Sequence, residues 1–277
     1  MTVAMLIDTT VCTGCRGCQV ACKQWWDLPA EKTVNTGSME NPPDLSASTW
    51  TRVTFHELEQ GDEVKWFHLA WGCMHCTDAG CVTVCPTKAL KRDTHTGAVT
   101  LERGLCNGCG YCTTACPFNV PRLETNVLTG IGTATKCNFC QDRLANDLMP
   151  ACAKTCPTGA ITFGDRAEMV QVGKKRVAKL QARGVDQASL YGDAFLGGTG
   201  RMYVLGAPPK QYRLPENPKV NPTVTVWKKV VRPLGKIGLV ATVLGLGVNW
   251  FVNMRSRRMA NAEPAHAAGH GAQGEEK

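Results

Sequence analysis

Sixteen cysteines fall into four groups of four, and no other feature constrains the fold of this 277-residue chain as tightly. The first group, Cys12, Cys15, Cys18 and Cys22, reads C-x2-C-x2-C-x3-C. The third, Cys106, Cys109, Cys112 and Cys116, repeats that spacing and adds Pro117. The second, Cys73, Cys76, Cys81 and Cys85 with Pro86, has two extra residues before its third cysteine. The fourth, Cys137, Cys140, Cys152 and Cys156 with Pro157, opens its middle gap to eleven residues. Three thiolates on so short a loop can wrap one face of an iron–sulfur cubane. The fourth cysteine, leaving in the next turn, points away toward a neighbouring one.

Other uses of cysteine fit less well. Disulfide scaffolds are short secreted chains with a signal peptide, whereas Met1 to Asp8 carries no Arg or Lys and reaches Cys12 almost at once. Zinc is the stronger rival, because the fourth group taken alone resembles an all-cysteine zinc site of two close pairs. The C-x2-C-x2-C triplets are poor tetrahedral sites, since three adjacent ligands leave the fourth competing with a neighbour. Four groups together, three ending in Cys-Pro, predict four [4Fe-4S] clusters.

The formal charge of +8 treats cysteine as neutral. Sixteen thiolates contribute −16 and four oxidised cores at about +2 each return about +8, so the loaded chain is near neutral. Lys and Arg are scattered rather than gathered in a stripe, which argues against nucleic acid. Aromatics make up only 6%, so clusters must serve as interior filling, and the apo-chain is expected to fold poorly.

Residues 1–165 carry the cysteines. Val3 to Ile7 reads as a strand and Gln19 to Trp26 as a helical turn. Glu31 to Ser48 is a loop insertion, and Arg52 to Phe67 is two strands joined around Gln60-Gly61-Asp62. Residues 89–101 form a hairpin with a turn at Thr96-Gly97, and Gly159 to Phe163 repeats its first strand, an internal duplication. Met169, Val170, Val177 and Leu180 predict an amphipathic helix over 166–183 ending at Gly184. The stretch 185–226 is rich in Gly, Pro and Asn and reads either as an extended arm or as a linker.

Ile237 to Met254 is eighteen residues without a charge, ~27 Å long as a helix against a bilayer core of ~30 Å. We read a single transmembrane helix over 230–254. Trp250 sits near one end, and Trp227 precedes the other. Gly238, Thr242, Gly245 and Asn249 make a small, weakly polar stripe suited to packing against another membrane helix. Charge leaves the orientation open. Arg255, Arg257 and Arg258 follow the helix, while Lys228, Lys229, Arg232 and Lys236 precede it. Residues 255–277, with His266 and His270, read as a disordered tail. No histidine lies in the apolar helix, so it offers no haem ligand. His75 sits inside the second cysteine group and is a candidate for tuning a cluster through an N–H. His56, His68 and His95 read as ordinary surface or strand residues. Lys136, Arg143, Arg122 and Lys154 neighbour cysteines, where positive charge would stabilise reduced clusters; plain solvation is the competing reading.

The chain resembles the four-cluster iron–sulfur subunits of molybdopterin oxidoreductases, most closely the beta subunit of membrane-bound respiratory formate dehydrogenase. The resemblance is carried by Cys12-Thr13-Gly14-Cys15, Gly72-Cys73-Met74-His75-Cys76, Cys109-Gly110-Tyr111-Cys112, Cys116-Pro117-Phe118-Asn119-Val120-Pro121-Arg122 and Lys154-Thr155-Cys156-Pro157-Thr158-Gly159-Ala160-Ile161. Asn41-Pro42-Pro43-Asp44-Leu45-Ser46, Arg176-Val177-Ala178-Lys179-Leu180 and the C-terminal anchor match the same family, over about Met5 to Asn253.

The resemblance implies an α+β fold: two intertwined ferredoxin-like units in 1–165, the second (about 68–125) inserted in the first, then a helix and extended arm over 166–229. It implies crossed ligation. Site a is Cys12, Cys15, Cys18 and Cys156, and site b is Cys22, Cys137, Cys140 and Cys152. Site c is Cys73, Cys76, Cys81 and Cys116, and site d is Cys85, Cys106, Cys109 and Cys112. The implied partners are a molybdenum or tungsten bis-pterin catalytic subunit, a membrane cytochrome b subunit and the lipid bilayer. The implied location is the cytoplasmic membrane, with the cluster domain on the periplasmic side. No catalytic site of its own is recognisable, and electron transfer is the expected role. Rival assignments are another pterin enzyme such as a polysulfide or nitrate reductase, a membrane hydrogenase, and a zinc-scaffolded binding protein.

Overall fold

The computed structural model describes residues 2–60, 62–126, 130, 132–226 and 230–260. Trp227, Lys228, Lys229, the 261–277 part of the tail with His266 and His270, and Gly61 lie outside the described residues. The chain divides into two units, Met1–Val224 and Thr225–Lys277.

The first unit is organised on a four-stranded sheet of order β8-β1-β10-β9, comprising β1 (Val3–Asp8), β8 (Ile161–Asp165), β9 (Ser189–Tyr191) and β10 (Arg201–Leu205). β1 runs antiparallel to β8, with Ile7 opposite Ile161, and parallel to β10, with Met5 opposite Arg201. The two-residue period of a strand gives this sheet two different faces. Ala4 and Leu6 of β1, with Met202 and Val204 of β10, pack against Met169 and Leu180 of α6 (Arg166–Gln181). Met5 and Ile7, with Tyr203 and Leu205, face a second core that includes Cys18, Cys22, Cys137 and Cys152.

Helix α6 starts directly after β8 because the Asp165 side chain accepts from the N–H groups of Ala167 (2.8 Å) and Glu168 (3.4 Å). It lies close on the sheet because residue 173 is glycine; a β-carbon there would stand 2.7 Å from Leu190 Cδ1.

Three two-stranded ribbons complete this unit. The longest joins β2 (Thr51–Gln60) to β3 (Glu63–Gly72), which delivers the chain to Cys73. The others are β4 (Leu90–Arg92) with β5 (Val99–Leu101), and β6 (Arg122–Thr125) with β7 (Gly132–Thr135). The insertion before β2 has no regular structure. It is held by Arg52–Glu40 (2.9 Å), by Arg122–Asp44 (2.7 Å), and by Glu31 accepting from Ser48 (2.6 Å) and Thr49 (2.7 Å).

Short helices carry the cysteines: α1 (Gly17–Trp25), α2 (Gly80–Val84), α3 (Tyr111–Ala115), α4 (Gln141–Leu144) and α5 (Ala151–Lys154). α1 packs on α5, and α2 on α3.

The region expected as an arm or linker departs from that description: β9 and β10 are part of the central sheet. Met202, Tyr203, Val204 and Leu205 are fully buried. Gly, Pro and Asn on either side had masked an apolar run.

Beyond α7 (Pro222–Val226) the chain forms one long helix, α8 (Arg232–Ala260). Arg232–Arg258 is long and apolar enough to cross a membrane, and its Leu234, Ile237, Val243, Leu246 and Trp250 side chains are exposed. Along the small-residue stripe, Thr242 Oγ1 donates to the Gly238 carbonyl (2.9 Å), and Asn253 Nδ2 donates to Asn249 Oδ1 (3.0 Å). These bonds satisfy polar groups inside the helix, as hydrocarbon surroundings require.

Candidate iron–sulfur sites

The four cysteine groups share one backbone design. The residue before each second cysteine lies in the left-handed region: Gly14 (φ 69°), His75 (φ 49°), Gly108 (φ 70°) and Phe139 (φ 61°). So does the residue three places after the last cysteine in the three Cys-Pro groups: Lys88, Asn119 and Gly159. Each kink turns the loop so that successive thiols face one centre. The last two cysteines of each group are four residues apart, about one helical turn. α1 carries both Cys18 and Cys22.

Strand register decides which groups meet. Ile7 pairs with Ile161, and Leu101 with Leu90. Cys12 lies five residues beyond Ile7, and Cys156 five residues before Ile161, so both leave the same end of the β1–β8 pair. Cys106 lies five residues beyond Leu101 and Cys85 five before Leu90, the same relation in β4–β5. The two strand pairs therefore follow one plan, with the ribbon β4–β5 continuous in sequence and the pair β1–β8 not.

Two recesses correspond to this arrangement. One holds about 320 Å³ of free space, partly open to solvent, and is lined by Cys12, Cys15, Cys18 and Cys156. The other holds about 390 Å³ and is lined by Cys73, Cys76, Cys81 and Cys116, with His75 and Lys136 among its walls. The remaining eight cysteines gather in two further sets. Cys22 is pushed well above the usual thiol range by burial and by repulsion from Cys137, Cys152 and Cys140. Burial, then Cys106, Cys109 and Cys85, push Cys112 up to about 11. Burial likewise raises Cys18 and Cys81 to about 12.

A thiol so shifted becomes a thiolate only against a strong local cation, and metal coordination supplies it. Among the described residues no three His, Cys, Asp or Glu converge closely enough to hold a single metal ion. Four thiols lining each of the two recesses fit a polynuclear iron–sulfur core.

Buried polar groups surround the sites. Val99 N–H donates to His75 Nδ1 (3.0 Å), which leaves the imidazole proton on Nε2, and that atom has no partner. Burial, then Lys136 and Arg201, hold His75 neutral, well below its ordinary pKa. Its ring lies 4.5 Å from that of Phe139, the residue at the same position of the fourth group. Ala134 N–H donates to Cys106 Sγ and Phe139 N–H to Cys137 Sγ, each at 3.3 Å.

Surface solvation does not describe Lys136 or Arg143, which are both buried. Lys136 donates to the carbonyls of Val99 and Cys137. Arg143 donates to the Met149 carbonyl (2.7 Å) and stacks on Trp25 at 4.3 Å. Arg122 is tied to Asp44, and Lys154 is exposed. Of the remaining histidines, His56 and His68 are buried in β2 and β3, and His95 is exposed. One charged residue that the sequence reading missed is Arg201, the first residue of β10, which is buried on the same face as Tyr203. Its signal in the sequence was an arginine heading a wholly apolar strand.

Four groups of four cysteines on kinked loops define a ferredoxin-type electron carrier with four clusters. The comparisons agree. Residues 11–89 and 64–166 each match a family described as "4Fe-4S dicluster domain". The chain is 43% identical over 247 residues to the nitrate-inducible formate dehydrogenase iron-sulfur subunit of Escherichia coli (strain K12), covering 88% of this chain and 83% of that one. It is 44% identical over 243 residues to the formate dehydrogenase-O iron-sulfur subunit of the same organism, covering 87% and 80%. It is 40% identical over 191 residues to the "Formate dehydrogenase 2 subunit beta (cytochrome c-553)" of Nitratidesulfovibrio vulgaris, covering 66% and 85%. The chain belongs to the iron–sulfur subunits of formate dehydrogenases. It transfers electrons through four [4Fe-4S] clusters and is not the catalytic subunit.

Proposed function

We propose that the four clusters are held in crossed sets: Cys12, Cys15, Cys18 with Cys156 (site a); Cys22 with Cys137, Cys140, Cys152 (site b); Cys73, Cys76, Cys81 with Cys116 (site c); and Cys85 with Cys106, Cys109, Cys112 (site d). The shared five-residue offset from the Ile7–Ile161 and Leu101–Leu90 pairs carries this reading, because it puts the ends of distant groups at one place. The packing of α1 on α5 and of α2 on α3 supports the same pairing. The fold is then two intertwined ferredoxin-like units within 1–165, the second (about 68–125) inserted in the first, followed by 166–229 and by the membrane helix 230–254, which continues as α8 to Ala260, six residues into what the sequence reads as a disordered tail over 255–277. In each set the chain's task is to fix four thiolates, shut out water and offer N–H groups to sulfur. Bound clusters supply one-electron redox chemistry.

The partners that fit are a molybdenum or tungsten bis-pterin subunit as electron source and a membrane cytochrome b subunit as acceptor. The exposed apolar face of α8 and the stripe Gly238, Thr242, Gly245 and Asn249 suit packing in a bilayer against such a subunit. Arg255, Arg257 and Arg258 favour a cytoplasmic C-terminus and a periplasmic cluster domain in the cytoplasmic membrane.

Cys156→Ala tests the crossed sets. The expected result is a three-iron signal by electron paramagnetic resonance, with the iron removed from the cluster of Cys12, Cys15 and Cys18. Damage confined to the cluster of Cys137, Cys140 and Cys152 refutes the exchange.

A further inference from the structure

Arg201 is the most deeply buried charged side chain among the described residues, 1% exposed, and its side-chain partner is the Tyr203 hydroxyl rather than a carboxylate. Its Nε and Nη1 atoms make no hydrogen bond. None of the ion pairs among the described residues includes it. The Tyr203 hydroxyl beside it is pushed up to about 12, chiefly by burial, so it is neutral and supplies no countercharge. A buried guanidinium without a countercharge is unfavourable and persists only where something compensates it.

Geometry shows where the compensation comes from. The alternation of β10 puts Arg201 on the face it shares with Tyr203 and Leu205, toward the cysteines and away from α6. Its backbone N–H donates to the Met74 carbonyl (3.1 Å), inside the second cysteine group. Its side chain packs on residue 72, next to Cys73, where the absence of a β-carbon makes room. A methyl group there would meet Nη1 and stand 3.1 Å from Cζ. Besides Tyr203, the groups that act on its charge are the thiols Cys137, Cys152 and Cys73, and Cys18 feels it in turn. These four belong to sites b, b, c and a. Cys112, with Cys85 and Cys106 packed beside it, sits instead in the separate cluster of Leu90, Val99 and Leu101.

We propose that Arg201 is a redox-positioning residue: the built-in countercharge of the clusters at sites a, b and c, which raises their reduction potentials relative to the cluster at site d. The inference rests on the proposed ligand sets. A cluster with four thiolates carries about −2 oxidised and −3 reduced, so a fixed neighbouring cation stabilises the reduced form more. One electron enters the core, no bond forms or breaks, and the guanidinium keeps its protons throughout. At an effective dielectric of about 20, a unit charge roughly 10 Å away changes a one-electron equilibrium by about tenfold.

The test uses the full chain in its complex, with Arg201→Met and Arg201→Gln removing the charge and Arg201→Lys keeping it. Iron and sulfide content and the cysteine-variant signals check the ligand sets. Potentiometric titration followed by electron paramagnetic resonance checks the countercharge. In Arg201→Met or Arg201→Gln, three of the four clusters should show about a tenfold lower reduced-to-oxidised ratio at fixed poise, equivalent to about 59 mV for one electron. The fourth cluster should not move, and Arg201→Lys should stay near the parent. Loss of clusters in the Met and Gln variants with all four retained in the Lys variant also supports a required charge. Four unchanged potentials in a fully loaded Arg201→Met protein overturn the proposal. So does an equal shift at all four clusters, or a Lys variant that behaves as the Met variant does.

Discussion

Gly108→Ala tests how tightly the third cysteine loop is fitted to its neighbour. Gly108 has φ 70°, a conformation that costs a residue with a β-carbon about 1–2 kcal/mol. It also lies against the β7 backbone. An added methyl would strike the Gly132 carbonyl oxygen and stand 2.6 Å from its carbonyl carbon and 2.9 Å from its Cα. Ordinary carbon–carbon contact begins near 3.5 Å, so the loop and the β6–β7 ribbon must part by about 1 Å. That stretches the 3.3 Å bond from Ala134 N–H to Cys106 Sγ beyond useful length, a further loss of about 1 kcal/mol. Together the substitution costs about 2–4 kcal/mol, on the order of 10 °C in thermal midpoint.

Because the damage falls at Cys106 and Cys109, iron should leave site d first. The purified protein should fall from about sixteen toward about twelve irons per chain. Gly159→Ala is the control: its φ is 66° and a β-carbon there meets nothing within 4 Å, so it suffers backbone strain alone. A Gly108→Ala protein that keeps all its iron and melts with Gly159→Ala would refute the argument from contact.

Two further outcomes follow from other parts of the chain. Burial, then Arg213, holds His56 neutral with its pKa lowered from 6.5 to about 4. The unfolded chain therefore takes up the proton first, and stability falls as pH drops below 6.5 until the folded state also protonates near 4. The full loss is on the order of 3 kcal/mol, of which roughly 2 has gone by pH 5. His56→Gln, which can still bond the Thr54 hydroxyl (2.7 Å in the parent), should lose less thermal stability between pH 7 and pH 5; equal losses would exclude His56 as the cause. Ending the chain before Lys236 should leave iron content and dye-linked formate oxidation intact, since all sixteen cysteines lie in the Met1–Val224 unit, while quinone reduction falls steeply. Unchanged quinone reduction would remove α8 from the coupling.

The parts legible in the sequence were those set by local spacing. Three-residue steps between cysteines, the hairpin ending at Leu101 and the amphipathic pattern of 166–181 all reflect interactions within a few residues. The pairing of distant groups was not local, and it reached the sequence reading only through family resemblance. The observation that supports the proposed pairing is the β1–β8 register, which no spacing rule reveals. β9 and β10 were hidden because composition averaged over 185–226 dilutes two short apolar runs, Ser189–Tyr191 and Arg201–Leu205. His75 and Phe139 carried a signal that aligning the four groups would have exposed: bulky residues where the first and third groups have glycine. They tolerate the left-handed backbone because their rings stack on each other in the interior.

The repeat also explains why the four sites are not equivalent. Both units set their cysteines by the same five-residue offset from an antiparallel pair, so duplication alone would give matched environments. The β1–β8 pair, however, has β10 running parallel beside β1, while β4–β5 has no third strand among the described residues. β10 arrives from far along the chain, and its register, Met5 opposite Arg201, decides that the charge sits at the cysteine face. A slip of one residue would turn Arg201 toward α6 and its apolar partners. Lys136, also buried, acts on Cys81 and Cys137, of the proposed sites c and b. Between them Arg201 and Lys136 act on thiols of the proposed sites a, b and c. If Arg201 is the countercharge proposed above, the difference in potential comes from strand order rather than from the cysteine motif.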